Sequence, residues 1–185
     1  MQVAPKEILS HYEICSYRFD FLSGAAQAES LCGVTDEAAV FAALQGDWNV
    51  SGSVSLETET LSVTRPNEGT AAFREDFVVV EIIEDGTGTT GNLATEGQVY
   101  DVDQVDDILE TVEAEWIADD LSLTPCGPEG LLQLSSQVEE FGNLSRLTVL
   151  PYFDDQILVI SESERKGDWG LAFVTFAGLL TRPES

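Results

Sequence analysis

His11 is the only histidine in this 185-residue chain, so any acid–base dyad or imidazole metal centre would have to be built on that one side chain. It falls beside Tyr12 in a segment that reads as helix, where a surface or capping role suffices. Cys15, Cys32 and Cys126 are odd in number, widely spaced and without a Cys-x-x-Cys pair. That spacing spells neither a disulfide framework nor a zinc site, and three reduced, mostly buried thiols are expected. The chain also lacks Gly-x-Ser-x-Gly, a phosphate-cradling glycine loop and His-Glu-x-x-His. A calcium loop starting at Asp101 would need glycine where Asp106 stands and glutamate where Val112 stands, so Asp101, Asp103, Asp106 and Asp107 read as a solvated acidic turn. Glu139-Glu140 and Asp154-Asp155 read the same way, because neighbours on a strand point to opposite faces. No catalytic residue, metal ligand or cofactor is therefore expected. The aromatics Trp48, Tyr100, Trp116, Tyr152 and Trp169 remain, and on barrel strands such residues either pack the core or line an apolar ligand cavity.

Thirty-four acidic residues against eight basic ones give a formal charge of −26. A surface this negative repels the phosphates of nucleic acid and of anionic membranes, which excludes nucleic-acid binding from the expected functions. Solubility, adaptation to high salt and docking to a basic protein partner all remain compatible with it. The acids are scattered rather than blocked, except between Asp101 and Asp120, where Asp and Glu supply nine residues.

The length fits one structural domain, and a hydrophobic content of 43% is enough for a sizeable core. The longest apolar stretch, Gly170 to Leu180, is about half of the roughly 20 residues that a membrane-spanning helix needs, so no span is expected. The opening Met-Gln-Val-Ala-Pro-Lys-Glu has no basic region followed by an apolar one, and no secretory signal is visible. Together with the thiols this suggests a soluble protein of a reducing compartment, cytoplasm or plastid stroma, in which the sequons at Asn49 and Asn143 carry no meaning.

The elements that must position these residues fall into two parts. Residues 1–45 read as a helical segment packed on the rest: Lys6 to Leu22 places Ile8, Leu9, Tyr12, Cys15, Phe19 and Leu22 on one face, and a second helix follows candidate N-cap Thr35 and stops at Gly46. Residues 46–185 read as a domain of about eight or nine antiparallel strands, a closed β-barrel or a sandwich, and the antiparallel β-barrel domain is the expectation. Trp48, Val50, Gly52, Val54 and Leu56 alternate with polar residues, and the phase slips at a turn near Thr58 to Thr60. Phe73 to Ile83 and Gly97 to Val102 are further strands, separated by a Gly/Thr-rich loop that runs to Asn92. Asp103 to Ala118 fits helix or strand, and its β-branched residues and Trp116 favour a strand from Ile108 to Ile117. After a turn at Pro125 to Gly130, strands are expected at Leu131 to Val138, Leu144 to Leu150, Gln156 to Glu162 and Trp169 to Leu179.

Leu44-Gln-Gly-Asp-Trp48, following a short helix and opening the first strand, resembles the Gly-x-Trp start of lipocalin-like (calycin) barrels and the barrel opening of the plastid lipid-associated proteins, the fibrillin family. Tyr152-Phe-Asp-Asp-Gln-Ile-Leu-Val159 and Gly97-Gln-Val-Tyr-Asp-Val102 are similar to a late and a middle segment of that family. The late motif's arginine is replaced by Leu158, and Asn49-Val-Ser-Gly stands where the family has Leu-Tyr-Thr-Ser. The resemblance implies a mainly β chain, a closed antiparallel barrel of about eight or nine strands with N-terminal helices, and non-enzymatic binding of a lipid, quinone or pigment. Trp48, Val50, Val54 and Leu56, with Tyr100 and Trp116, are the expected ligand-binding residues. The alternatives are an acidic interaction protein docking a basic partner, and a calycin-type chromophore lyase or isomerase using Cys15, Cys32 or Cys126.

Overall fold

The computed structural model describes residues 28–75, 77–82, 87–95, 98–121, 126–140, 143–167 and 170–184. The helix expected from Lys6 to Leu22, with His11 and Cys15, lies outside them, as does Trp169. Among the described residues the chain is mainly β, with few helices: α1 (Glu37–Leu44), β1 (Gly46–Thr58), β2 (Ser62–Arg74), β3 (Phe77–Ile82), β4 (Thr87–Asn92), α2 (Val102–Thr111), α3 (Trp116–Leu121), β5 (Leu134–Glu140), β6 (Asn143–Pro151), β7 (Gln156–Gly167) and β8 (Gly170–Thr181). All eight strands join one antiparallel sheet in the order β4-β3-β2-β1-β8-β7-β6-β5. No described helix is long and apolar enough to cross a membrane.

One face of this sheet gathers Trp48 and Val50 from β1, Ala71 and Phe73 from β2, Leu134 from β5, Val149 from β6, Val159 from β7 and Leu180 from β8 into a single buried cluster. Side chains from strands so far apart in the sheet can meet only if it curls around them. The curl brings edge strand β4 toward edge strand β5, where Ala94 and Ser135 exchange two backbone hydrogen bonds of 2.8 and 2.9 Å. The expected closed barrel is corrected here: that isolated bridge is the only strand pairing between the two edges among the described residues, and no ladder closes the sheet. A side chain at Gly91 would place its Cβ 2.0 Å from the Ser136 Oγ, so β4 abuts a β5 side chain instead of aligning with its backbone.

Local chemistry explains where sequence and structure agree. Thr58 Oγ1 accepts from the amides of Thr60 and Leu61 at 3.3 and 3.0 Å, which makes the turn expected from the phase slip. Helix α1 is capped by Asp36, whose carboxylate accepts from Ala38 N at 3.1 Å, one residue later than the expected Thr35. The four late strands form near the expected places, although β5 starts at Leu134 instead of Leu131 and β7 runs on to Gly167.

The other expectations are corrected. The strand from Phe73 to Ile83 is divided, with Phe73 and Arg74 ending β2 and β3 starting at Phe77 after a turn at Glu75. The Gly/Thr-rich loop contains strand β4, which pairs with β3 through its backbone and so needs no apolar alternation. No strand forms over 98–102: the Gln133 side chain holds Tyr100 N at 2.9 Å and Tyr100 O at 3.1 Å in place of a partner strand, and Asp101 begins a helix. Instead of a strand from Ile108 to Ile117 there are two helices. A capping box, in which Asp101 accepts from Gln104 N at 2.8 Å and the Gln104 side chain returns the bond, starts α2. Val105, Leu109 and Val112 then fall on one buried side, and Glu113, at a positive φ of 54°, turns the chain into α3. The alternation of Val112, Ala114 and Trp116 thus spans a helix end and a turn.

Helices α2 and α3 cover the opposite face of the sheet, where Val105, Leu109, Ile117 and Leu121 pack with Leu150, Leu158, Ile160, Ala177 and Leu179. A strap from residue 28 to Val34 crosses nearby, with Leu31 N bonded to Tyr152 O at 2.9 Å and Gly33 N to Gly130 O at 3.0 Å. Cys32 and Cys126 form a disulfide that fastens this strap, with Cα atoms 5.6 Å apart. This overturns the expectation of three reduced thiols, and a disulfide sits oddly with a reducing compartment.

Candidate functional site

The concave face has one closed end, and a single tryptophan organises it. Trp48 is buried, its indole N–H donates to Leu44 O at 2.8 Å, and it meets Phe73 edge-on with ring centroids 6.2 Å apart. Arg182 lies over its other side, the guanidinium carbon 3.7 Å from the ring centroid. The same guanidinium donates to Ala43 O at 2.6 Å and Gln45 O at 2.8 Å, while the Gln45 amide donates to Phe41 O and to Glu75 O at 2.9 Å each. Helix α1 ends there with carbonyls that have no intrahelical partner, and Trp48, Arg182 and Gln45 supply the missing donors. The cost falls on Arg182, whose pKa is lowered by burial, offset by Asp154 and Asp155. The pKa of Asp155 is itself raised from its ordinary value by burial and by Asp154, and its Oδ1 is buried, so the expected solvated reading of this pair does not hold for Asp155.

From that closed end, antiparallel register sets the order of side chains along the face. Val50, Gly52, Val54, Leu56 and Thr58 of β1 pair in turn with Leu180, Gly178, Phe176, Val174 and Ala172 of β8. A Cβ on Gly178 would lie 2.5 Å from Phe176 Cζ, so the ring of Phe176 is folded over Gly178 toward the closed end. Beyond Phe176 the concave face is not filled. A cavity of about 560 Å³ opens there, lined by Leu56, Thr58, Glu59, Thr60, Leu61, Arg165, Ala172 and Val174. Its volume lies within the roughly 300–1,000 Å³ of small-molecule sites. Leu61 is 50% exposed at its rim and Val63, the next inward position on β2, 47% exposed, so apolar surface faces water at the mouth.

Of the expected ligand residues, the structure brings Trp48, Val50, Val54 and Leu56 onto this one face, and only Leu56 lines the cavity. Trp48 and Val50 are packed in the closed end, with Val54 against them. Tyr100 and Trp116 are on the other side of the sheet. Tyr100 is buried beneath α2 and donates to the Glu162 carboxylate; burial first and that hydrogen bond second raise its pKa. Trp116 is 39% exposed on α3 because its segment is helical. A smaller cleft of about 200 Å³ lies on this outer side between α2, α3 and Tyr152, whose pKa burial pushes up to about 12, with Glu129 and Asp106 adding to it.

Sequence reasoning missed Ala172, Val174 and Arg165. Parity within strands was the available signal, since Arg165 is in phase with Ile157 and Val159 but lies beyond the expected strand end at Glu162. It also missed Asn67, which faces Gly52 across the β1–β2 ladder and is buried with its side-chain oxygen unpartnered. Among the described residues no group of His, Cys, Asp and Glu is arranged to hold a metal ion. No known protein-family model matches the chain, and no curated protein matches it.

Proposed function

We propose that this protein is a non-enzymatic binder of an apolar small molecule, of the lipid, quinone or pigment class, held on the concave face of a curled, unclosed sheet whose strand order is like that of a calycin barrel. The observation that carries the reading is the cavity of about 560 Å³ between β1, the β1–β2 turn, β7 and β8, apolar along Leu56, Leu61, Ala172 and Val174 and floored by the packed layer around Phe176. Binding there needs shape and desolvation alone, because burying apolar area stabilises a complex by roughly 25 cal/mol per Å² before the costs of association. The strand order and the helix-then-Gly-x-Trp opening support the likeness to calycins. Native mass spectrometry of protein purified from its own source tests the function: a co-purifying lipid or pigment of defined mass is the expected result, and a bound basic protein with no small molecule would overturn it.

A second reading, an acidic protein docking a basic partner, has its own observation. The aspartates and glutamates from Asp101 to Asp120 are all exposed on α2, α3 and their connection, beside half-exposed Val102 and Trp116. The third, a chromophore lyase, could no longer use Cys32 or Cys126, which are joined, and would have to rest on Cys15.

A further inference from the structure

Acidic residues are sorted by face on the strands at and beside the cavity. In a chain with 34 acidic and eight basic residues, the inward positions of β1, β2, β7 and β8 carry no acid at all. Asp47, Glu57, Glu68, Glu162 and Glu164 all fall on outward positions of these strands, together with Arg74 and Lys166, whereas the charged residues at inward positions are Arg65 and Arg165. Register makes the assignment. Arg65 pairs with Val54, which packs into the concave core, and Arg165 pairs with Ala172, which lines the cavity with it. The one carboxylate on the cavity lining, Glu59, belongs to the β1–β2 turn and not to the walls.

We infer that the ligand is an amphiphilic carboxylate whose anionic head meets Arg165 at the mouth, while its apolar body lies along Leu56 and Val174 toward Val54 and Phe176. The inference rests on the cavity being the binding site and adds the chemical class of what it takes. A net charge of −26 repels an anion approaching most of the surface, so the inward arginines are where such a ligand finds an attractive field. Apolar walls reduce the screening of that attraction, and guanidinium and carboxylate form a charge-assisted, bidentate pair.

Titration of the full chain at pH 7 with cis-parinaric acid and with its methyl ester, read by energy transfer from tryptophan, tests this. The acid is expected to bind roughly tenfold more tightly than the ester. That preference should vanish in Arg165→Gln, return in Arg165→Lys, and persist in Arg74→Gln, an outward arginine paired with Asp47. Equal binding of acid and ester would overturn the carboxylate while leaving the apolar binder intact. A preference that survives Arg165→Gln would overturn the assignment of the head group to this residue. No binding of either probe to the folded protein would remove the cavity reading itself, and the inference with it.

Discussion

Trp48→Ala is expected to cost about 3–5 kcal/mol of folding stability, the range for deleting a large buried aromatic side chain. Against a typical total of about 5–15 kcal/mol this removes from about a fifth to all of the stability. Three losses coincide at the site. The ring leaves a void against Phe73, Leu44 O loses its 2.8 Å indole donor, and Arg182 loses the surface over which it is stacked. Because Arg182 also holds the carbonyls of Ala43 and Gln45, its displacement loosens the end of α1 that plugs the sheet. Urea denaturation of the two proteins measures the difference. A loss below about 1 kcal/mol would mean that Trp48 does not sit in a packed interior, since exposed substitutions away from such features fall within about 0.5 kcal/mol.

Opening the disulfide is expected to be comparably severe. Cys32 and Cys126 close a loop of 94 residues, and chain-entropy reasoning assigns about 4.7 kcal/mol to a loop of about 100 residues. That loop contains α1, β1 to β4, α2 and α3, so the cross-link narrows the unfolded ensemble of half the chain. The Cys32→Ser/Cys126→Ser variant should melt well below the oxidised protein, and reductant should lower the wild-type melting point to match. Thiol titration in denaturant separates the states: one titratable thiol before reduction and three after, since the chain has three cysteines and one pair is joined. Three thiols before reduction, or a melting point indifferent to reductant, would contradict the cross-link.

How far the sequence could be read depended on which forces leave a mark on residue order. β1 was legible because one of its faces is apolar and the other polar, even where Ser53 and Ser55 are buried, and the turn at Thr58 because a side chain builds it. β4 left no such mark, since its pairing with β3 is backbone to backbone and its residues are Thr, Gly and Asn. The α2–α3 pair misled because alternation over Val112, Ala114 and Trp116 outweighed the capping signal at Asp101 and Gln104. Contacts between residues distant in the chain were not readable at all. The Cys32–Cys126 pair and the placement of Arg182 over Trp48 depend on the sheet having curled, and no local spacing encodes either. The candidate site divided along the same line: β1 parity put Leu56 on the right face, while Arg165 lay in a charged run, Glu162-Ser-Glu-Arg-Lys166, where apolar alternation had faded.

The central claim is that an apolar ligand enters at the mouth beyond Phe176, and filling that mouth tests it most directly. Ala172 is buried on the cavity wall beside Val174, so Ala172→Trp directs an indole into the empty volume. The affinity for cis-parinaric acid, measured for the wild type and for this variant at matched melting behaviour, should fall by roughly tenfold or more as the ring occupies the ligand's space. Unchanged affinity in a variant that folds as well as the wild type would mean that the ligand, if bound, sits elsewhere, and would contradict the account.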